Sequence, residues 1–204
     1  LIINVANEPW FDNQERIGFA SLPTKATQEW IGQVSEWIIK KEAELPKQHL
    51  LAIDYCNEGE FITQEKLDGD YQNISVFNHH YDREATSAKL NYGHLDRVLG
   101  FNETGLMDPF SDQYRIQAWK YFMCGGALYN NLDFTFQTGF EDGTGSTYFT
   151  CGANAYYGCT NQNTKHELAS LLRFWHDLDF INMQPRPANL LLNYGHFKTY
   201  AFST

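Results

Sequence analysis

The sequence lacks a paired-cysteine motif, a membrane-length apolar run and a basic patch, and each absence removes a class of function. Its four cysteines, Cys56, Cys124, Cys151 and Cys159, include no C-x-x-C pair. Neither a zinc ribbon nor a thioredoxin-type dithiol is therefore expected. Spacing does not choose among the ways four cysteines can pair. Cys151 and Cys159 share one Gly/Asn/Tyr-rich loop and would close a disulfide in an exported protein, with free thiols the equal alternative. No apolar run approaches the ~20 residues of a membrane helix, so no membrane span is expected. Fifteen basic residues stand against 25 acidic ones, for a net charge of −10, and no basic cluster exceeds Lys40-Lys41. A nucleic-acid partner, which needs a basic face, is excluded on that ground. No Gly-rich phosphate loop follows any apolar run. Glu141-Asp142-Gly143 lacks the rest of an EF-hand loop and is expected to be a solvated turn. No cofactor and no metal site are expected. The chain also opens inside an apolar run at Leu1, without Met, signal peptide or leading turn, and ends inside another. The expectation is a piece of a longer protein.

What is present is enough for one sizeable core: 204 residues, 43% hydrophobic and 16% aromatic. An acidic, aromatic-rich chain suits a neutral substrate such as a carbohydrate. Leu1-Ile-Ile-Asn-Val5 is a β-branched run cut off by Asn7-Glu8-Pro9-Trp10. Such a run fits a strand buried on both faces, and Pro9 ends it, leaving Glu8 at its carboxyl end. Further strands are expected at 49–55, 74–81, 97–101 and 127–134. The spacing predicts a helix over 24–45 with Trp30, Val34, Trp37 and Ile38 on its buried stripe. A second is expected at 112–123, with Asp112 as N-cap and Gly125-Gly126 as the stop. A third opens at Thr164-x-x-Glu167, a capping box, with a stripe of Leu168, Leu171, Leu172, Trp175 and Leu178. Trp30, Trp37 and Trp175 are accordingly expected in the core. The stretch 82–95 is a weaker helix, and 61–71 is too short and irregular to assign.

Strands alternating with helices imply a parallel sheet. Each expected strand ends, on its carboxyl side, in a polar cluster. That is the layout of a (β/α)8 TIM barrel, whose chemistry sits on those loops. A doubly wound sheet is the runner-up. A full barrel needs ~250 residues, so the expectation is that only strands 4 to 8 are present, over 1–182. Residues 183–204 would be a linker and the start of a C-terminal β domain.

Two of the strand ends repeat Asn-Glu: Asn7-Glu8 and Asn102-Glu103. Three strands apart in a closed barrel, two carboxylates face each other across a cleft. Glycoside hydrolysis uses such a pair, at ~5–5.5 Å for retention and ~6.5–9.5 Å for inversion. With Asn7-Glu8-Pro9, Glu103 and His79-x-Tyr81, the chain resembles the C-terminal part of a clan-A glycoside hydrolase, cellulase-like and glycoside hydrolase family 5-like. In that group the acid/base lies in Asn-Glu-Pro on strand four, the nucleophile on strand seven and a His-x-Tyr on strand six.

The resemblance implies Glu8 as acid/base, Glu103 as nucleophile, Asn7 on the sugar 2-hydroxyl, Tyr81 on the nucleophile and His79 lining the same subsite. Trp10 would stack on a sugar ring. The family's usual tryptophan after strand eight is absent, and Asn130, Asn131 and Asp133 stand there, with Asn131 and Asp133 expected to bind substrate. The tail resembles members in which a small β-sandwich of the collagen-binding type follows the barrel. The implied partners are a carbohydrate substrate and the missing N-terminal half of the barrel, and the implied location is secreted or periplasmic. His79-His80 is not expected to hold one metal ion, because neighbouring strand residues point to opposite faces. The reading of a different class is a non-catalytic carbohydrate-binding or scaffold protein with a degenerate barrel.

Overall fold

Apolar runs pack here into one parallel sheet with helices over its apolar face. In the computed structural model, residues 1–12, 22–57, 59–82, 84–104, 112–133, 135–145, 162–186 and 201–203 are described. The order is β1 (Ile2–Asn4), α1 (Lys25–Glu42), β2 (Leu50–Asn57), α2 (Gln64–Asp68), β3 (Val76–His80), α3 (Thr86–Asn91), β4 (Val98–Glu103), α4 (Gln113–Met123), β5 (Leu128–Tyr129) and α5 (Gln162–His176). β6 (Gln184–Arg186) and β7 (Ala201–Ser203) follow, paired antiparallel as a separate ribbon.

The sheet runs β1-β2-β3-β4-β5, all parallel, and curls as a half-barrel. Its faces differ. Leu51, Ile53, Tyr55, Phe77, Leu99 and Phe101 form the core with Ile31, Leu67, Ala88 and Tyr121 of α1 to α4. The alternate residues, including Asn4, Asp54, Asn78, His80, Gly100 and Asn102, line the other face by the period-2 rule. That face is small and polar, while the first is large and apolar. α5 packs on α4 through Leu171 and Trp175 against Ala118, Trp119 and Phe122.

Three local expectations are corrected. α1 turns Ile31, Val34, Ser35 and Ile38 toward the sheet, and Trp30 and Trp37 stay 50% and 62% exposed. Trp30 lies one residue, about 100° of helix, before Ile31 and so falls off the buried stripe. Lys41 instead covers the Trp37 ring, 5.9 Å from its centroid. Trp175 is buried as expected. α5 begins at Gln162, so Thr164 sits inside the first turn rather than at the cap. Asp112 precedes α4 without a side-chain capping bond and pairs with Arg115 at 3.4 Å. Gly125, at φ +97, does end α4, a conformation glycine adopts without steric cost. Cys56 and Cys124 are buried thiols, and burial pushes Cys124 up to about 11. Cys151 and Cys159 lie outside the described residues, as do 187–200 of the expected C-terminal strands.

Candidate active site

The carboxyl ends of β1 to β4 bring four polar side chains into one layer, and the two glutamates of interest stand on its rim. After Asn4 the chain runs to Glu8, whose φ of +47 is left-handed, and then into a single 3-10 turn at Pro9–Asp12. For a residue with a Cβ that conformation costs roughly 1–2 kcal/mol. It aims the Glu8 carboxylate at β3, where Oε1 lies 3.0 Å from His80 Nδ1. Glu103 is the last residue of β4. Its Oε1 accepts a hydrogen bond from the Tyr81 hydroxyl at 2.6 Å, and its Oε2 lies 3.7 Å from His80 Nδ1. One oxygen of Glu8 and one of Glu103 are within 4.8 Å of each other. Two bare carboxylates at that distance repel by roughly 3 kcal/mol at an effective dielectric of ~20. The imidazole between them offsets that repulsion.

The histidine in this cluster is His80. His79 points into the helix-side core, with no exposed surface and its ring edge-on to Tyr55 at 5.7 Å. Burial pushes its pKa down to about 3, which leaves it neutral. On a regular strand, residues 79 and 81 would share a face, as the His-x-Tyr expectation assumed. Tyr81 adopts φ +55 and the β3–β4 register shifts between His79 and His80, so 80 and 81 reach the site together. Trp10 also differs from expectation. It is 1% exposed, with its ring edge-on to His80 at 5.1 Å, and presents no open face to a sugar. Asn7 is exposed beside Glu8.

Beyond Glu103 a cleft of about 520 Å³ is lined by Asn102, Asn131, Asp133, Phe136 and Lys165. Asn131 and Asp133 thus line one cleft with Glu103. Phe136, 53% exposed, is an aromatic ring on this cleft. Lys165, from α5, donates to Thr135 Oγ1 at 2.7 Å and stands 5.0 Å over the Phe136 ring.

Under the rim lies Asp54, which has no exposed surface. Burial pushes its carboxyl up, but His80 and the amides of Asn102 and Asn4 outweigh this and hold it below the ordinary carboxylate value. Burial likewise pushes His80 down. Contact with Asp54 and the charges of Asp54 and Glu103, with the Glu8 bond, outweigh that and raise it above 6.5. Burial and the bond to Glu103 raise the Tyr81 phenol, so it remains a donor. No family model, curated protein or solved structure matches this chain. The site therefore has to be understood from its own geometry.

Glu8, His80 and Glu103 are also the described trio whose donor atoms could encircle a cation. Both ring nitrogens of His80 face carboxylates, at 3.0 Å on Nδ1 and 3.4 Å on Nε2. A ring protonated by those neighbours has no lone pair to give a metal. With carboxylates facing both of its nitrogens, the His80 ring is placed to pair with these acids. Asp54, His80 and Phe136 are the site residues that sequence reasoning missed. Asp54 did leave a signal: it is the one charged residue inside the apolar run His49–Tyr55.

Proposed function

We propose that the protein is a retaining glycoside hydrolase of the clan-A type, acting on a polysaccharide or its oligomers. In this reading the five parallel strands are strands 4 to 8 of a (β/α)8 barrel. The supporting observation is the approach of the Glu8 and Glu103 oxygens to within 4.8 Å. An approach of that order lies nearer the ~5–5.5 Å carboxyl spacing of retaining enzymes than the ~6.5–9.5 Å of inverting ones.

The chemistry is double displacement. A Glu103 oxygen attacks the anomeric carbon while the glycosidic C–O bond breaks, its electron pair passing to the leaving oxygen. Glu8, in its acid form, gives that oxygen a proton. Glu8, now a carboxylate, then takes a proton from water, whose oxygen displaces Glu103 from the anomeric carbon. The Tyr81 hydroxyl, 2.6 Å from Glu103 Oε1, orients the nucleophile. Asn131 and Asp133 offer hydrogen bonds to sugar hydroxyls in the adjoining cleft, and Phe136 offers a ring for stacking.

The test is hydrolysis of a panel of polysaccharides and aryl glycosides, with the anomer of the first product read by NMR. Activity with retention is expected in the wild type, and Glu103→Gln should abolish turnover without changing the fold. Near-normal turnover in that variant, or an inverted first product, refutes the assignment. Glycan binding without hydrolysis would instead support a carbohydrate-binding protein.

A further inference from the structure

Asp54 lies in the middle of an apolar strand with no exposed surface. A carboxylate in such a place is tolerated only when paired and fully hydrogen-bonded. Asp54 is both. Its Oδ2 accepts from Asn4 Nδ2 at 3.1 Å and its Oδ1 from Asn102 Nδ2 at 2.9 Å. His80 Nε2 stands 3.4 Å from Oδ2. These partners come from β1, β4 and β3, so one side chain ties together the strands that lead to Glu8, Glu103 and Tyr81. Apolar residues of similar volume usually serve a fold at least as well as a buried ion pair. The arrangement therefore points to the site above it.

We infer that Asp54 is a positioning residue: it holds His80 as a cation with Nδ1 aimed at Glu8 and Glu103. The groups facing His80 are Asp54 from β2, Glu8 from the turn after β1 and Glu103 from β4. His79 on β3 and Tyr81 just after it flank His80 in sequence, and the Trp10 ring closes its edge. Of the three carboxylates, Asp54 alone has no exposed surface, so water screens its pull on the imidazolium least. The consequence for turnover rests on the glycosidase reading; the consequence for His80 does not.

The experiment is a histidine-resolved NMR titration of the whole protein, with His80 assigned by the signal lost in His80→Gln. The wild-type ring should titrate above 6.5. Asp54→Asn keeps the shape and an acceptor for Asn102 but removes the charge. It should lower the His80 pKa by about 1–3 units, the range for loss of an adjacent opposite charge. Turnover should fall with it, because the cation between Glu8 and Glu103 is lost over that pH range. An unchanged His80 titration in folded Asp54→Asn overturns the inference. If that variant does not fold, the wild-type titration decides, and a His80 pKa below 6.5 overturns it. A wild type that hydrolyses no glycan refutes the glycosidase reading alone, because the His80 shift is still measured.

Discussion

Gly100 and Asn78 are direct register partners in the middle of β4 and β3, on the polar face of the sheet. A Cβ placed on Gly100 would stand 2.1 Å from Asn78 Oδ1 and 3.2 Å from its Cγ. Asn78 is itself buried, so its amide cannot swing into water. Gly100→Ala therefore sets two effects against each other. Alanine restricts the unfolded chain and by that alone would stabilise by about 0.4–1 kcal/mol. Forcing a methyl into a filled site costs typically about 1–3 kcal/mol. The net expectation is a loss of about 1–2 kcal/mol, and for a chain of 204 residues each kcal/mol moves Tm by about 2–4 °C. Thermal unfolding followed by circular dichroism should then show Tm lower by about 2–8 °C. The Asn78→Ala background supplies the control: with the amide gone, Gly100→Ala should cost nothing, a favourable coupling of about 1–2 kcal/mol in the double-mutant cycle. The sign alone is decisive. An unchanged or raised Tm for Gly100→Ala in the wild-type background refutes the close-packed polar layer.

Two further predictions concern stability. The Asp82 carboxylate accepts from the backbone of Thr86 at 2.7 Å and Ser87 at 2.9 Å, and from the Ser87 hydroxyl, which satisfies the start of α3. Asp82→Ala should lose about 2 kcal/mol by urea unfolding, with Asp82→Asn intermediate because its amide oxygen still accepts; equal losses in the two variants would show that capping is not the cause. The Asp54–His80 pair sets a stability window. The raised His80 contributes fully below its unfolded value near 6.5, and that contribution is lost as pH climbs through the higher folded value. The lowered Asp54 contributes above its unfolded value near 3.8 and is lost as pH falls through the lower folded one. Urea midpoints across pH 3–9 should decline at both ends, and Asp54→Asn should flatten the alkaline decline; an alkaline decline of equal size in that variant would place its cause elsewhere.

The sheet was largely legible in the sequence because buried parallel strands must be nearly continuous in apolar residues, as His49–Tyr55 and Ile74–Tyr81 are. Strand order also carried the meeting of Glu8 and Glu103, since residues at the carboxyl ends of a curled parallel sheet converge whatever lies between them. What was not legible depended on breaks in periodicity. His79 was chosen over His80 from the resemblance to a His-x-Tyr motif, and the left-handed Tyr81 breaks the alternation that would set 79 and 81 on one face; no propensity announces such a residue. Trp30 and Trp37 were assigned to the core because apolar character does not reveal which arc of a helix meets the sheet. Trp10 was taken for a sugar platform although its neighbour in space, His80, is 70 residues away in sequence. Asp54 was hidden by its own surroundings, a charge that only its tertiary partners make tolerable.

The left-handed backbone at Glu8 and Tyr81 means that folding and chemistry select differently at these two positions. Glycine would sit there without strain, so a lineage kept only for its fold would drift away from both side chains. Ala85 shares that backbone at φ +55, so conformation alone does not mark a site, and it is their contacts with His80 and with each other's partners that set Glu8 and Tyr81 apart. Under the proposed glycosidase function, related sequences without hydrolytic activity should carry glycine or asparagine at these two positions while the strands around them are still intact.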